Sequence, residues 1–432
     1  MHPDVDDDAV LPTGRLSRFT RLVGLSARTS ASLLLSRDGG AAAEAAAEVL
    51  GNLRGLAAKL GQMASYVDGM VPEAHRAAYE TALKKLRSAA PSSSSDAIRA
   101  VIESELGAPI DRLFAEWEAE PFASASIGQV HRARLADGAL VAVKVQHPGI
   151  ERAVESDLDN ASVLQNIAEL VVPRGANLKA VFEEIRARFR EELDYGLEAE
   201  RQTAFRELHA GNAKIRIPRV VSERSARRVL TTELMTGFSL DEAALRPEEE
   251  RRAHAHTLWE FVFKGTLLFG LFNADPHPGN YLFQDDGTVV FLDFGCVQPI
   301  DPEKQLRARA MHSAAISGDE PAFRERARLL LGTRGGSYEQ AALAYVRRCF
   351  EPLFGSPYRI DSAYVTEIVL AVRELKREIF AKDKSFVPLG RGMAFMNRLQ
   401  FGFYSVLARL DVEADYASVE RRFLEAAGAF VP

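Results

Sequence analysis

Two cysteines, Cys296 and Cys349, are all that the 432 residues contain, and they lie far apart and outside any CxxC or Cys/His cluster. That scarcity excludes a disulfide framework and a structural zinc site, and it fits a reducing, cytoplasmic setting. Basic excess is missing too. A net charge of −6, with 26% of residues charged, removes any general attraction to nucleic acid. No apolar run is long enough to span a bilayer: the most apolar window, "FVFKGTLLFGLF" (Phe261 to Phe272), is interrupted by Lys264 and falls short of the about 20 residues a spanning helix needs. The start, "MHPDVDDDAVLP", is acidic and lacks the basic start and apolar run of a secretory signal, so export is not expected. The chain also has no GxGxxG and no Gly-Lys dipeptide, which excludes both common glycine-rich phosphate loops.

What is present reads as a soluble α+β protein, 47% apolar and long enough for two lobes. Residues 1–12 are expected to form a disordered acidic tail. In "GRLSRFTRLVGLSARTSASLLLSR", Leu16, Phe19, Leu22, Val23 and Leu25 interleave with Arg15, Arg18, Arg21 and Arg28. This is a helix packed on its own domain on the first reading, and a peripheral contact with anionic lipid on the second. Leu50, Leu53, Leu56, Leu60 and Met63 recur at three- and four-residue steps, which predicts an amphipathic helix, and a second helical block runs from about Pro72 to Lys85. "SAAPSSSSD" then breaks the pattern, with Ser95 and Asp96 suited to cap a helix over 97–106. Residues 13–115 therefore read as an all-helical extension.

Strand texture begins at "FASASIGQVHRARLADGALVAVKVQHPG", with Asp137-Gly138 as a hairpin turn. A long helix is predicted over Asn177 to Leu208, followed by short strands in "IRIPRVV" and "RRVLTTELM". Residues 116–236 form the expected smaller α+β lobe, and 237–432 a mainly helical one.

The chemistry concentrates in "FNADPHPGNYLFQDDGTVVFLDFG", Phe272 to Gly295. Asn280 follows Asp275 by five positions, and Asp293 lies thirteen beyond Asn280, directly after the apolar run "VVFL". This is the catalytic-loop and metal-loop layout of phosphoryl transfer, in which one carboxylate accepts or orients a proton while an amide oxygen and a second carboxylate hold magnesium. Hard oxygen donors are what magnesium prefers. Upstream, Lys144 ends "VAVK" with Ala142 on the same strand face, a small residue for a flat base and an ammonium for phosphate. Taken as one helix, the stretch after Asn177 puts Asp194 and Glu198 on a shared face and turns Glu192 roughly 200° from Asp194. Glu198 is then the candidate partner of Lys144, and Glu192 is left for a second cation. Where a glycine loop would stand, the chain has "PFASASIGQVHRA", whose Cβ atoms restrict close approach of backbone to phosphate.

These residues resemble the UbiB/AarF atypical kinases, also called the ADCK family. The resemblance runs from about Leu16 to near the C-terminus and rests on "KLGQ" (Lys59 to Gln62), "ASAS" (Ala123 to Ser126) with "IGQVHRA", "VAVKVQHPG", "ELD" (Glu192 to Asp194), "ADPHPGN" and "LDFG". It implies a bilobal protein-kinase-like fold with an N-terminal helical extension over the active site. Lys59 would pair with Glu192, with Gln62 on the same helix face, and Lys144 with Glu198. Asn280 and Asp293 would hold magnesium, and Asp275 would be the acid nearest the chemistry. Ala123, Ser124, Ala125, Ser126, Ala142, Lys144, Glu233 and Met235 make up the implied nucleotide-contacting set. Asn273 departs from the histidine the family often has two residues before the catalytic acid, which alters how that loop is anchored. Ser124 replaces an alanine, and the membrane anchor of many members is not seen.

The leading functional reading is a magnesium- and ATP-dependent atypical kinase or ATPase supporting quinone or isoprenoid-lipid synthesis, with a quinone-precursor or lipid ligand. "CVQPIDPEKQ" follows Gly295 without A-P-E or a recognisable activation segment, which disfavours protein substrates. A small-molecule phosphotransferase and a nucleotide-sensing scaffold are the alternatives.

Overall fold

The computed structural model describes residues 93–125, 127–155, 158, 178–380 and 393–430. The Arg-rich first helix, the two helical blocks that follow it, Lys59, Gln62 and Ser126 lie outside the described residues. The chain divides into two compact units, and the division falls within the hairpin around Asp137-Gly138, between Arg132 and Ala133 and again between Val143 and Lys144.

In the first unit, helix α1 (Ser95–Leu106) is capped by Ser94, whose side chain accepts from the Ala97 N–H, and it ends at Gly107 in a left-handed conformation. The cap is thus one residue earlier than the sequence suggests. Asp96 instead sits in the first turn, where a carboxylate favours the helix dipole. Ile98, Val101 and Ile102 form the buried stripe expected of three- and four-residue spacing. After α2 (Ile110–Leu113) come β1 (Glu116–Trp117), β2 (Ala123–Ala125) and β3 (Gly128–Arg134). β2 folds back antiparallel on β3, Ala123 opposite Val130 and Ala125 opposite Gly128. Behind them His131 is fully buried, stacked on Trp117 at 4.6 Å, with its Nδ1 2.9 Å from the Glu118 carbonyl.

The second unit opens with the predicted turn between β3 and β4 (Leu140–Gln146). Gly138 takes φ 88°, and the Ala139 N–H donates to the Asp137 carboxylate at 3.0 Å. The helix predicted over Asn177 to Leu208 is in fact two, α3 (Leu178–Glu192) and α4 (Tyr195–Leu208). Asp194 is extended, and its Oδ1 accepts from the N–H groups of Gly196 and Leu197, so its side chain starts α4 instead of continuing α3. A helix-face comparison of Glu192, Asp194 and Glu198 therefore does not hold.

Strands β5 (Ile215–Arg216) and β6 (Val229–Glu233) and helices α5 (Leu240–Ala243) and α6 (Glu248–Lys264) follow. A π turn over Gly265–Phe269 closes α6 and leads into β7 (Leu271–Asn273). Then come β8 (Tyr281–Phe283), β9 (Val289–Phe291) and β10 (Val297–Pro299). β7 pairs antiparallel with β10, β8 antiparallel with β9, and β5 parallel with β9. The rest is helical as expected: α7 (Pro302–Ile316), α8 (Glu320–Leu331), α9 (Gly336–Cys349), α10 (Glu351–Phe354), α11 (Ser362–Phe380), α12 (Met393–Leu410) and α13 (Tyr416–Ala426), with a short β11 (Tyr358–Arg359) and β12 (Glu413–Ala414) pair among them. α6 is central to this unit: Phe261 stacks on Phe291 of β9, and Trp259 packs on Tyr416 of α13.

His209, just past α4, is buried between Phe205 and Phe261, and neither of its ring nitrogens has a hydrogen-bond partner. Burial first, and the Lys264 charge second, lower its pKa from 6.5 to about 3. Burial also lowers His131, His147, His254 and His256. Each folded value lies below the unfolded one, so the native state binds fewer protons. Stability is complete above the unfolded imidazole value and is lost as pH falls below it. For His209 alone, the loss between pH 6.5 and pH 5 is about 2 kcal/mol. Urea unfolding at pH 7 and pH 5 should show this loss, and His209→Phe should remove about that much of it; an unchanged pH dependence in the variant would refute the assignment.

Candidate active site

Within the second unit, the loop after β7 and the loop after β9 form one hydrogen-bonded piece, and Asn273 joins them. Its Nδ2–H donates to the Asp293 carbonyl at 2.6 Å, and its Oδ1 accepts the Asp275 N–H at 3.2 Å. Asn280 holds the far end: its Nδ2–H donates to the Asp275 carbonyl at 3.0 Å, and its own carbonyl accepts the Leu292 N–H at 3.0 Å. His277 caps the intervening 3₁₀ turn (Pro278–Asn280) by accepting the Gly279 N–H at 3.0 Å. The Ala274 N–H donates to the Cys296 carbonyl at 2.8 Å, which extends the β7–β10 ladder past Asn273. Asp275, Asn280 and Asp293, read from spacing alone, are thus brought together by backbone and side-chain bonds.

The donor set suits a hard divalent cation. Asn280 commits its amide hydrogen to the Asp275 carbonyl, so its Oδ1 is the atom it would offer a cation. Asp293 turns its Oδ1 to the Gly295 N–H at 2.9 Å. One amide oxygen and one carboxylate make a sparse protein set, as magnesium takes when phosphates and waters fill the remaining positions. Among the described residues, no cluster of three His, Cys, Asp or Glu side chains offers a metal cage.

Two further groups hold the 293–295 loop. Phe294 is fully buried against Phe205 at 5.3 Å. Glu198 on α4 is buried to 4% exposure, and a Cβ added to Gly295 would lie 3.9 Å from its Oε2, so this carboxylate reaches the same loop as Asp293. Glu192 ends α3 half-buried beside Glu191. Glu191 receives Arg188 at 2.7 Å and Arg201 at 2.5 Å, and Arg201 also donates to the Gly295 carbonyl at 3.0 Å. Glu233 is exposed at the end of β6, and its N–H donates to the Arg219 carbonyl at 2.9 Å. Met235 follows two residues on, half-buried. Residues 296–301 are all that separate Gly295 from α7, and β10 occupies half of them.

In the first unit, Ala123, Ser124 and Ala125 form β2, one arm of a hairpin with β3. Along β4, Val141, Val143 and Val145 are buried while Ala142 and Lys144 occupy the more open face, as alternation predicts.

Sequence reasoning missed Arg201 and Gly402. α12 packs so closely on the Asp275 loop that a Cβ on Gly402 would stand 2.5 Å from the Pro276 Cγ. A glycine inside an otherwise helical run, "QFGFYS", was the available signal of close approach.

A model of the ABC1 atypical kinase-like domain matches residues 85–327. Activity of BC1 complex kinase 7, a chloroplastic protein of Arabidopsis thaliana, is 34% identical over 246 residues, 56% of this chain and 35% of its own length. The mitochondrial atypical kinase coq-8 of Caenorhabditis elegans is 34% identical over 249 residues, 56% of this chain and 32% of its own length. The chain therefore spans about a third of the length of these two relatives. The solved complex of Rv3197 with erythromycin, from Mycobacterium tuberculosis, superposes with a TM-score of 0.63 at 24% identity, over 95% of this chain and 98% of that one, and shows a shared fold. The two relatives are named for organelles, and no described helix is long and apolar enough to cross a membrane.

Asn273→Ala should cost about 1–3 kcal/mol, because the Asp293 carbonyl and the Asp275 N–H both lose a partner. Hydrogen exchange should speed up at the Asp275 amide, and unchanged exchange across residues 273–295 would show that the bridge carries no load. Gly402→Ala should cost about 1–3 kcal/mol by overpacking against Pro276 and loosen the same loop in the same measurement.

Proposed function

Because the chain belongs to the ABC1 atypical kinase-like family, we propose that it binds ATP with magnesium and carries out ATP hydrolysis or phosphoryl transfer to a small molecule. The observation that carries this reading is the joined loop pair: Asp275, Asn280 and Asp293 fixed relative to one another by Asn273. Asn280 Oδ1 and Asp293 would hold the magnesium, which when bound neutralises charge on the phosphates. Asp275 would orient the attacking hydroxyl or water and accept its proton. The alanine-rich β2–β3 turn would lie along the phosphates. On the resemblance, Lys144 supplies the phosphate-facing ammonium and Glu198 its counter-charge, within a bilobal kinase-like arrangement.

The short passage from Gly295 to α7 supports a small-molecule acceptor, since a peptide substrate needs an extended segment to dock on. A quinone precursor or an isoprenoid lipid is the proposed acceptor or effector class, in keeping with the family resemblance.

The test is magnesium-dependent nucleotide binding and phosphate release by the purified chain. Lys144→Ala and Asp293→Asn should each abolish binding, and unchanged binding in both would sink the proposal. Asp275→Asn should retain binding and lower phosphate release by about 100-fold or more, the range typical of a lost general base. Nucleotide binding with no release above background would favour a scaffold that senses nucleotide. Phenolic quinone precursors and anionic liposomes, added to the same assay, should raise phosphate release if the acceptor class is right.

A further inference from the structure

A cavity of about 370 Å³ lies within the second unit, among helices α6, α7, α9, α12 and α13. Its wall is overwhelmingly apolar, with Phe263, Met311, Tyr345, Val346 and Phe403 among the lining residues. At the ~30 Å³ that a molecule of liquid water takes up, it has room for about a dozen heavy atoms. An apolar space of this size lacks the side-chain contacts that a closely packed core makes across it.

Polarity enters this wall in a particular way. Glu420 on α13 is fully buried and accepts two hydrogen bonds, from the Trp259 indole N–H at 3.0 Å and from His312 Nδ1 at 2.5 Å. A carboxylate on Nδ1 fixes the ring's orientation and leaves Nε2 as its working edge. Phe350, at 4.6 Å, and Phe263, at 5.6 Å, hold the ring from its sides. His312 lines the cavity, and its Nε2 has no hydrogen-bond partner among the described residues. Burying a carboxylate and an imidazole in an apolar core costs more than filling the space with hydrocarbon, unless the pair orients a group for use. Phe272 of β7 also lines the cavity, while the next residue, Asn273, serves the Asp275 loop; successive strand residues face opposite sides, so the two sites lie on opposite faces of β7.

We propose that this cavity binds a small, mostly apolar molecule carrying one hydroxyl or carbonyl group, which hydrogen-bonds to His312 Nε2. The site needs neither nucleotide nor magnesium, so it stands or falls separately from the phosphoryl-transfer reading.

Three probes of one skeleton test it by calorimetric titration of the full chain: 1-tetralol, 1-tetralone and tetralin. Saturable one-to-one binding is expected, with the alcohol or the ketone about five-fold tighter than tetralin, the worth of one net hydrogen bond. Whichever of the two binds better identifies the polar group. His312→Leu should erase that preference while tetralin still binds, and His312→Gln should restore part of it. Ala308→Phe on α7, or Val346→Phe on α9, should weaken all three probes at least ten-fold, with folding checked by urea unfolding. The proposal is overturned if no probe saturates, if tetralin matches both polar probes, or if a folded cavity-filling variant binds as before.

Discussion

The side-chain amide of Asn273 reaches in two directions, and the chemistry of the site depends on that reach. Asp275 and Asp293 sit on separate loops, each free in principle to settle by itself. One planar group that donates to the Asp293 carbonyl and accepts from the Asp275 N–H sets the distance between them. An amide suits this role because it presents a donor and an acceptor at a fixed angle without a charge and without titrating near neutral pH. The rest of the second unit supports the bridge. Phe294 anchors one loop in an aromatic cluster, Arg201 ties the Gly295 carbonyl to α3, and Gly402 lets α12 press on Pro276.

How far the sequence could be read follows from how local each determinant is. The trio Asp275, Asn280 and Asp293 was legible because its spacing, five and then thirteen positions, lies within one short stretch of chain and matches a catalytic-loop and metal-loop layout. The Asp137-Gly138 turn, the helical C-terminal half and the open face of β4 were legible because turn chemistry and side-chain periodicity are local too. The break at Asp194 was not: good helix formers stand on both sides, and the helix ends because one carboxylate finds two N–H groups to cap. The cue was an aspartate two residues before a glycine, which periodicity alone outweighs. Arg201 was beyond reach, because its partner carbonyl at Gly295 lies 94 residues away. Asn273 stood out as a departure from the family pattern, but its second bond, to the Asp293 carbonyl, depends on how β7 and β10 pair.

Two buried histidines of the second unit differ in what surrounds their ring nitrogens. His209 has no hydrogen-bond partner and stays neutral, so it weakens the fold in acid and serves as an aromatic filler. His312 and Glu420 are bonded to each other and to Trp259, and the network ends at an imidazole edge on a cavity wall. A satisfied network that stops at open space differs from one closed on all sides. The first offers a place for another molecule, and the second offers rigidity alone.

The β7–β10 pairing has a kinematic meaning. Asn273 stands opposite Val297, and the Ala274 N–H continues the ladder to the Cys296 carbonyl, so each loop is spliced to the other within a residue or two of its functional side chain. The 293–295 segment cannot swing away without unzipping that ladder, and only residues 296–301 link it to α7. The positions of Asp275 and Asp293 are therefore one mechanical coordinate, and a motion that carries one loop carries the other with it.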